Sequence, residues 1–247
     1  MEEKLTMDLK ISAGECDSTG RLGMWETFLL YMNAACEHAD MLGCGLDDMR
    51  KNGLLWVAVR NMIRYIRRPA MGEEVTLATW PLVPGRASAE RDYALMDKEG
   101  SIISLGKTEW SVVDRERGRI ISPAKIFPDG VEFSSDAVEL PAFTRFRFDP
   151  ASFTSLGSYR VRSTDCDVGG HMNNTAYVRM MCSALSTDWW KDLGADLMEA
   201  YYVSQMYEDD EMELFLMQED DRVIFRADSV EGKTVFWMSV SRKADKK

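Results

Sequence analysis

The sequence predicts an α+β protein made of one unit used twice, each copy a long helix followed by an antiparallel meander. Three observations predict it. Glu15-Cys16-Asp17-Ser18-Thr19-Gly20-Arg21 recurs as Asp165-Cys166-Asp167-Val168-Gly169-Gly170-His171, aligned without a gap, so that Cys16 falls on Cys166, Asp17 on Asp167, Gly20 on Gly170 and Arg21 on the second half's only histidine. Each copy leads into a stretch with the period of a one-sided helix, and each such stretch is followed by segments that alternate with period two. A unit of about 120 residues, used twice, fits a 247-residue chain, because domains commonly run to roughly 100–200 residues.

From Met24 to His38 the apolar positions Met24, Phe28, Leu29, Met32, Ala35 and Cys36 recur at three- and four-residue spacing, the stripe of a helix buried on one face. Gly43-Cys44-Gly45 and Lys51-Asn52-Gly53 then read as turns, and the period changes. Val75, Leu77 and Thr79 alternate with Glu74, Thr76 and Ala78, and Glu90 to Met96 and Lys107 to Val113 continue the strand character. Asp97-Lys98-Glu99-Gly100 and Asp114-Arg115-Glu116-Arg117-Gly118 supply the turns between and after them. In the second copy Asn173 or Asn174 can cap a helix that the pattern carries to about Trp190, with Gly194 as its stop. Strands are expected at Tyr201 to Gln205, Glu211 to Met217, Arg222 to Ala227 and Thr234 to Val240. The organisation expected is therefore a first domain over 1–121, a linker over 122–150 marked by Pro123, Pro128, Pro141 and Pro150, and a second domain over 151–247. A linker of that length is expected to pack on a domain face. Trp56, Trp80, Trp110 and Trp237 are read as core.

Composition is that of a globular protein, 45% hydrophobic and 29% charged. No apolar run approaches the roughly 18 residues of a membrane span, and Met1-Glu2-Glu3-Lys4 has no signal-peptide pattern, so the expectation is a cytosolic protein with no membrane role. Five cysteines without paired spacing suit a reducing compartment, and no cysteine or histidine cluster suggests a metal. The net charge of −11 argues against nucleic acid. It is uneven: residues 1–125 hold 17 basic against 19 acidic groups, and the remainder 13 against 22. The basic cluster Arg60, Arg64, Arg67 and Arg68 reads either as a seat for a small acidic partner or as a solvated strand edge ended by Pro69.

Asp165-Cys166-Asp167-Val168-Gly169-Gly170-His171-Met172-Asn173-Asn174-Thr175-Ala176-Tyr177 resembles the D-x-D-x-N-x-H-x-N-N-x-x-Y segment of acyl-acyl carrier protein (acyl-ACP) thioesterases. Asn52-Gly53-Leu54-Leu55-Trp56-Val57-Ala58-Val59-Arg60, Gly72-Glu73-Glu74-Val75 and Thr79-Trp80 are similar to the same family's first half, in family order. The resemblance implies a tandem double hot-dog fold, in which each half is a long central helix wrapped by an antiparallel sheet. It further implies hydrolysis of fatty acyl-ACP, releasing free fatty acid.

Hydrolysing a thioester needs an activated water or nucleophile, a polarised carbonyl and an apolar slot for the chain. His171 stands just ahead of the second helix, whose dipole and free N–H groups favour a developing oxyanion. Asp167, four residues earlier, can face the same cavity and orient or activate water. Carried over from the family, the catalytic Asp is Asp167 and the His is His171, but the family's Asn is Gly169, and its Glu-Cys pair falls on Gln205 and Met206. Gln205 is expected to bind water without taking its proton, and Met206 excludes a cysteine nucleophile there. Gly169, Gly170 and Asn173 are assigned to substrate binding, although Asn173 and Asn174 read equally well as helix caps. Cys166 points away from Asp167 if the loop is extended.

With Arg21 in place of the histidine, the first half is expected to do no chemistry and to bind the acyl chain, with Met24, Trp25 and Phe28 lining the tunnel. Arg64, Arg67 and Arg68 are assigned to docking of an acidic carrier protein. An acyl-CoA thioesterase of the same fold and a non-catalytic acyl-binding protein stay open as alternatives, as do monomer and homodimer. No cofactor is implied.

Overall fold

The computed structural model describes residues 3–193 and 195–242. The chain divides into two compact units, Met1–Pro141 and Ala142–Lys247, so the division falls inside the proline-marked segment.

In the first unit the long apolar stripe forms α1 (Met24–Met41), followed by the short α2 (Leu46–Lys51). The strands are β1 (Leu5–Lys10), β2 (Leu54–Tyr65), β3 (Glu74–Pro81), β4 (Ala89–Asp97), β5 (Ile102–Asp114) and β6 (Arg119–Ile121). They pair antiparallel in the order β1-β3-β4-β5-β2, with β6 on β5. Thr27, Phe28, Tyr31, Met32, Ala34, Ala35 and His38 form the buried face of α1, which packs on β3 and β1. The Tyr31 ring stacks on Tyr93 of β4 with centroids 4.8 Å apart. Under the end of α1, the buried Arg91 places Nη1 3.0 Å from His38 Nδ1 and donates to Thr79 Oγ1 at 3.2 Å. His38 is thus a core group of the first unit.

The segment after β6 covers the other face of this sheet, as its length led us to expect. Trp80 Nε1 donates to the Asp136 carbonyl at 2.8 Å and the Val138 N–H to Asp92 Oδ2 at 2.7 Å, while Val138 packs over Ala78, Trp80 and Ala94. Burial pushes the Asp92 carboxyl up to about 6. Of the four tryptophans read as core, only Trp80 is buried; Trp56, Trp110 and Trp237 are half-buried.

The second unit repeats this plan with β7 (Thr154–Arg160), α3 (Asn174–Ser183), α4 (Thr187–Leu193), β8 (Ala195–Tyr202), β9 (Glu211–Gln218), β10 (Arg222–Ser229) and β11 (Thr234–Arg242). Its order is β8-β11-β10-β9-β7, again antiparallel. Two expectations are corrected. The single helix to about Trp190 is two helices, because Ser186 Oγ accepts the Trp189 N–H at 3.3 Å and starts a new helix. That break lets Trp190 donate to the Cys182 carbonyl at 2.7 Å and stack on Phe225 at 5.7 Å. The strand expected to reach Gln205 ends at Tyr202, where the Val203 and Ser204 N–H groups both turn to the Val235 carbonyl. Gly194, the expected stop, lies outside the described residues.

Among the described residues no helix is long and apolar enough to cross a membrane. Phe225 is fully buried beneath Trp189 and Trp190. Phe225→Ala should therefore cost about 3–5 kcal/mol in a denaturant titration; a loss below about 1 kcal/mol would mean that this contact is not part of the core.

Candidate active site

The segment 165–173 forms a tight loop closed by backbone bonds. The Asp167 N–H donates to the His171 carbonyl at 3.0 Å, the Gly170 N–H to the Asp167 carbonyl at 2.9 Å, and the Asn173 N–H to the Asp165 carbonyl at 2.8 Å. Gly170 sits at φ +79°, a region that side chains disfavour, which explains a glycine there. The Met172 N–H donates to the Met206 carbonyl at 2.7 Å and fixes the loop to the segment after β8. Asn173 then caps α3, its Oδ1 accepting from the Thr175 N–H at 2.8 Å and Oγ1 at 2.7 Å. Of the two roles weighed for Asn173, the geometry displays the cap.

Asp167 and His171 come together on this loop. Asp167 Oδ1 accepts from the Gly169 N–H at 2.7 Å, and Oδ2 lies 3.8 Å from His171 Nδ1. That separation is an electrostatic approach rather than a hydrogen bond. Nδ1 also lies 3.4 Å from the Met172 carbonyl. His171 Nε2 is buried and has no hydrogen-bond partner among the described residues, so one nitrogen of the ring has its hydrogen-bonding capacity unused. A Cβ at Gly169 would stand 2.9 Å from both Asp167 Oδ1 and His171 Nε2, so the bare glycine leaves the pair its space. Burial, together with the charges of Glu208, Asp165 and Asp167, pushes the Cys166 thiol up, away from a reactive thiolate.

Gln205 is exposed, and its Oε1 accepts from the Tyr207 hydroxyl at 3.3 Å. No hydrogen bond joins it to Asp167 or His171 among the described residues, whereas the neighbouring Met206 is buried and holds the loop through its carbonyl. An open pocket of about 550 Å³ lies beside this segment, lined by Val203, Ser204, Met206, Val230 and Lys233.

The first copy builds the same loop with different side chains. Asp17 N–H to Arg21 carbonyl is 2.9 Å, Gly20 N–H to Asp17 carbonyl 3.0 Å, and Gly20 has φ +70°. The Leu22 N–H donates to the Pro69 carbonyl at 2.9 Å, so Arg68 stands where Gln205 stands in the second copy. Arg68 Nη1 pairs with Asp17 and donates to the Leu22 carbonyl at 3.1 Å, and Arg21 donates to the Arg68 carbonyl at 2.9 Å. Against the burial that would raise it, these bonds from Arg68 and Thr19 hold the Asp17 carboxyl below its ordinary value. Nearby, Glu26 in the first turn of α1 is pushed the other way: burial, with the charges of Asp17 and Glu15, raises it to about 7.

The basic cluster is largely occupied. Arg67 pairs with Glu73 at 2.7 Å and Asp97 at 3.2 Å, Arg68 with Asp17, and Arg60 with Glu109 opposite it across β2 and β5. Arg64 has its Nε buried without a hydrogen bond. Arg67 and Arg68, assigned from the sequence to docking, are thus each paired with carboxylates of their own unit. Met24 and Trp25 are half-buried, with the Met24 carbonyl accepting from the Tyr65 hydroxyl at 3.0 Å, and Phe28 is buried. One neighbour of the site escaped the sequence reading. Asp165, noticed only as part of the motif, is buried and hydrogen-bonded to Tyr159 of β7 and Arg179 of α3.

Residues 2–129 match the model of the acyl-ACP thioesterase N-terminal domain and residues 151–234 that of the C-terminal domain. The chain belongs to the acyl-ACP thioesterase family. It is 27% identical over 172 residues to oleoyl-acyl carrier protein thioesterase 2 of Arabidopsis thaliana, a match covering 60% of this chain and 45% of that protein. The chain thus spans about half the length of the curated relatives it matches. The fold is similar to that of an acyl-ACP thioesterase from Bacteroides thetaiotaomicron, with a TM-score of 0.87 at 18% identity over 97% of both chains. It is also similar to the 12:0-ACP thioesterase of Umbellularia californica, with a TM-score of 0.81 at 17% identity, covering 98% of this chain and 97% of that one. The family's tandem double hot-dog fold is the one the repeated units display.

Two outcomes follow from this geometry. An added Cβ at Gly170 meets nothing within 4 Å, so Gly170→Ala should cost only the backbone strain, about 1–2 kcal/mol in denaturant unfolding, and an unchanged stability would contradict the turn. Because the folded chain raises the Glu26 carboxyl from 4.5 to about 7, Glu26 stabilises fully below pH 4.5, and that contribution is lost as pH rises to about 7. Glu26→Gln should flatten this fall in a series of unfolding midpoints; an identical slope in the variant would place its origin elsewhere.

Proposed function

We propose that this chain hydrolyses the thioester of a fatty acyl chain carried on acyl carrier protein, giving free fatty acid and the carrier's thiol. The observation that carries the reading is the Asp167–His171 pair with a buried, unpartnered Nε2, set on a loop directly ahead of the N-terminus of α3. Water attacks the thioester carbonyl carbon and its proton passes to the Asp167–His171 pair. The carbonyl oxygen gains charge toward the positive end of α3. Collapse then breaks the carbon–sulfur bond, and the thiol, a good leaving group, departs with the proton returned by the pair.

Gly169, where the family has Asn, contributes its backbone N–H to Asp167 Oδ1 and leaves Oδ2 turned to His171. Gln205 has the role of binding water in the substrate complex, and Gly170 and Asn173 shape and cap the loop. The first unit is assigned to the acyl chain, with Met24, Trp25 and Phe28 as tunnel residues, since its own loop is neutralised by Arg68. Free cysteines at all five positions fit a reducing compartment such as the cytosol.

A second reading, hydrolysis of acyl-CoA, is favoured by the pairing of Arg67 and Arg68 with carboxylates of their own unit, which compete with a carrier for two of the three groups expected to select it. Thiol release from matched acyl-ACP and acyl-CoA substrates separates the two. Asp167→Asn and His171→Gln should each lower kcat/KM about 100-fold or more on the preferred substrate. Gly169→Ala, which crowds both groups, should lower kcat while leaving stability nearly unchanged. Activity undiminished in Asp167→Asn and His171→Gln would end the assignment, and faster turnover of the CoA thioester would select the second reading.

A further inference from the structure

We infer that Tyr159, Asp165 and Arg179 are positioning residues for the Asp167–His171 loop, joined in a clamp that only the second unit carries. The kinetic part of this inference rests on the hydrolase reading above. The geometric part does not.

Asp165 is 2% exposed, and both carboxylate oxygens are engaged. Oδ1 accepts from Arg179 Nη2 at 2.6 Å; Oδ2 accepts from the Tyr159 hydroxyl and from the Arg162 N–H, each at 2.8 Å. A carboxylate so buried needs such partners to offset its desolvation. Its backbone carbonyl meanwhile accepts from the Asn173 N–H at 2.8 Å. One residue therefore ties together the last strand before the loop through Tyr159, the closing end of the loop through Asn173, and the body of α3 through Arg179. Asp167 lies two residues beyond Asp165, and His171 two residues before Asn173. Burial and the Asp165 charge push the Tyr159 hydroxyl up to about 12, so it remains a donor at neutral pH.

The first copy supplies an internal control. Glu15 occupies the Asp165 position, its carbonyl accepting from the Gly23 N–H at 2.9 Å, but its side chain is only half-buried and turns back to the Ser12 N–H at 2.7 Å and hydroxyl at 2.6 Å. At the repeat offset that aligns the two loops, Tyr159 and Arg179 fall on Leu9 and Leu29. The first loop nevertheless makes the same closing bonds at 2.9–3.0 Å. The clamp is thus not needed to form the loop. It is present where the loop carries the histidine and absent where the loop carries an arginine. Its role is to hold the Asp167–His171 geometry against the helix, where a displacement of about 1 Å can cost about 100-fold in rate.

The chain has two histidines, one in each unit, so the imidazole NMR signals of His171 and His38 can be followed in every variant. Arg179→Met, Arg179→Lys, Tyr159→Phe and Glu15→Gln are to be compared in the full chain, with Asp165→Asn/Arg179→Met as the variant that leaves no unpaired buried charge. We expect Arg179→Met and the double variant to shift or broaden the His171 signal with His38 unmoved. On the preferred acyl thioester kcat should fall about 10- to 100-fold with KM within about twofold. Arg179→Lys should recover part of the loss, Tyr159→Phe should show a smaller one, and Glu15→Gln should change neither readout. An unmoved His171 signal in the folded double variant overturns the clamp, as does an equal loss in Glu15→Gln. A wild-type chain that turns over no thioester while His171 still responds to Arg179→Met overturns the hydrolase reading and leaves the clamp standing.

Discussion

The closure of the loop by main-chain bonds is the constraint on which the rest depends. Asp167 N–H to His171 carbonyl at 3.0 Å, with Gly170 supplying the left-handed residue, brings an aspartate and the side chain four residues later to one side of a hairpin just ahead of a helix. No side chain is needed for this. The same bonds recur at Asp17 and Arg21 at 2.9 Å, in a loop whose side chains are otherwise different. A scaffold made of backbone can keep its shape while its chemistry diverges, and the two copies display two results of that freedom.

In one result the carboxylate faces an imidazole and the segment after β8 offers an exposed Gln205. In the other, Arg68 occupies the equivalent place and pairs with Asp17, while Arg21 donates back to the Arg68 carbonyl. Arg68 is partly buried, so its pairing is screened less than that of a surface ion pair, which is worth roughly 0–1 kcal/mol. Proximity of Glu26, with its raised carboxyl, adds a second departure: the first loop is surrounded by acids that hold protons or cations rather than by a base ready to work.

Much of this was legible in sequence because the relevant patterns are local. The repeated loop, the stripe of α1 and the alternation of β3 can each be read within a short window. What escaped was set by distant partners. The burial of β2 is two-sided and its register shifts between Ala58 and Arg60, so its twelve residues show no period two. The edge strand β7 carries too little apolar alternation to stand out, whereas β1, short as it is, alternates Leu5, Met7 and Leu9 with Thr6, Asp8 and Lys10 and was legible but not read. In the second unit Ala184 and Leu185 continue the helical stripe, and the break is decided by Ser186 and by the place of Trp190 on Phe225. The ion pairs of the arginines could not be read because nothing in their own segment reveals that Glu109, Glu73, Asp97 and Asp17 return beside them. The sequence reading brought Asp167 and His171 together because the two are local. It was incomplete at Asp165, whose partners lie six residues before it and fourteen after it.

The central claim is that one position of a duplicated loop carries the chemistry in the second copy and none in the first. Thiol release from an acyl thioester by His171→Ala, measured beside Arg21→Ala, tests it most directly, because these residues occupy the same place in the two loops. The account predicts that turnover collapses in His171→Ala and persists at nearly the wild-type rate in Arg21→Ala. Equal losses in both variants, or turnover that survives His171→Ala, would contradict it.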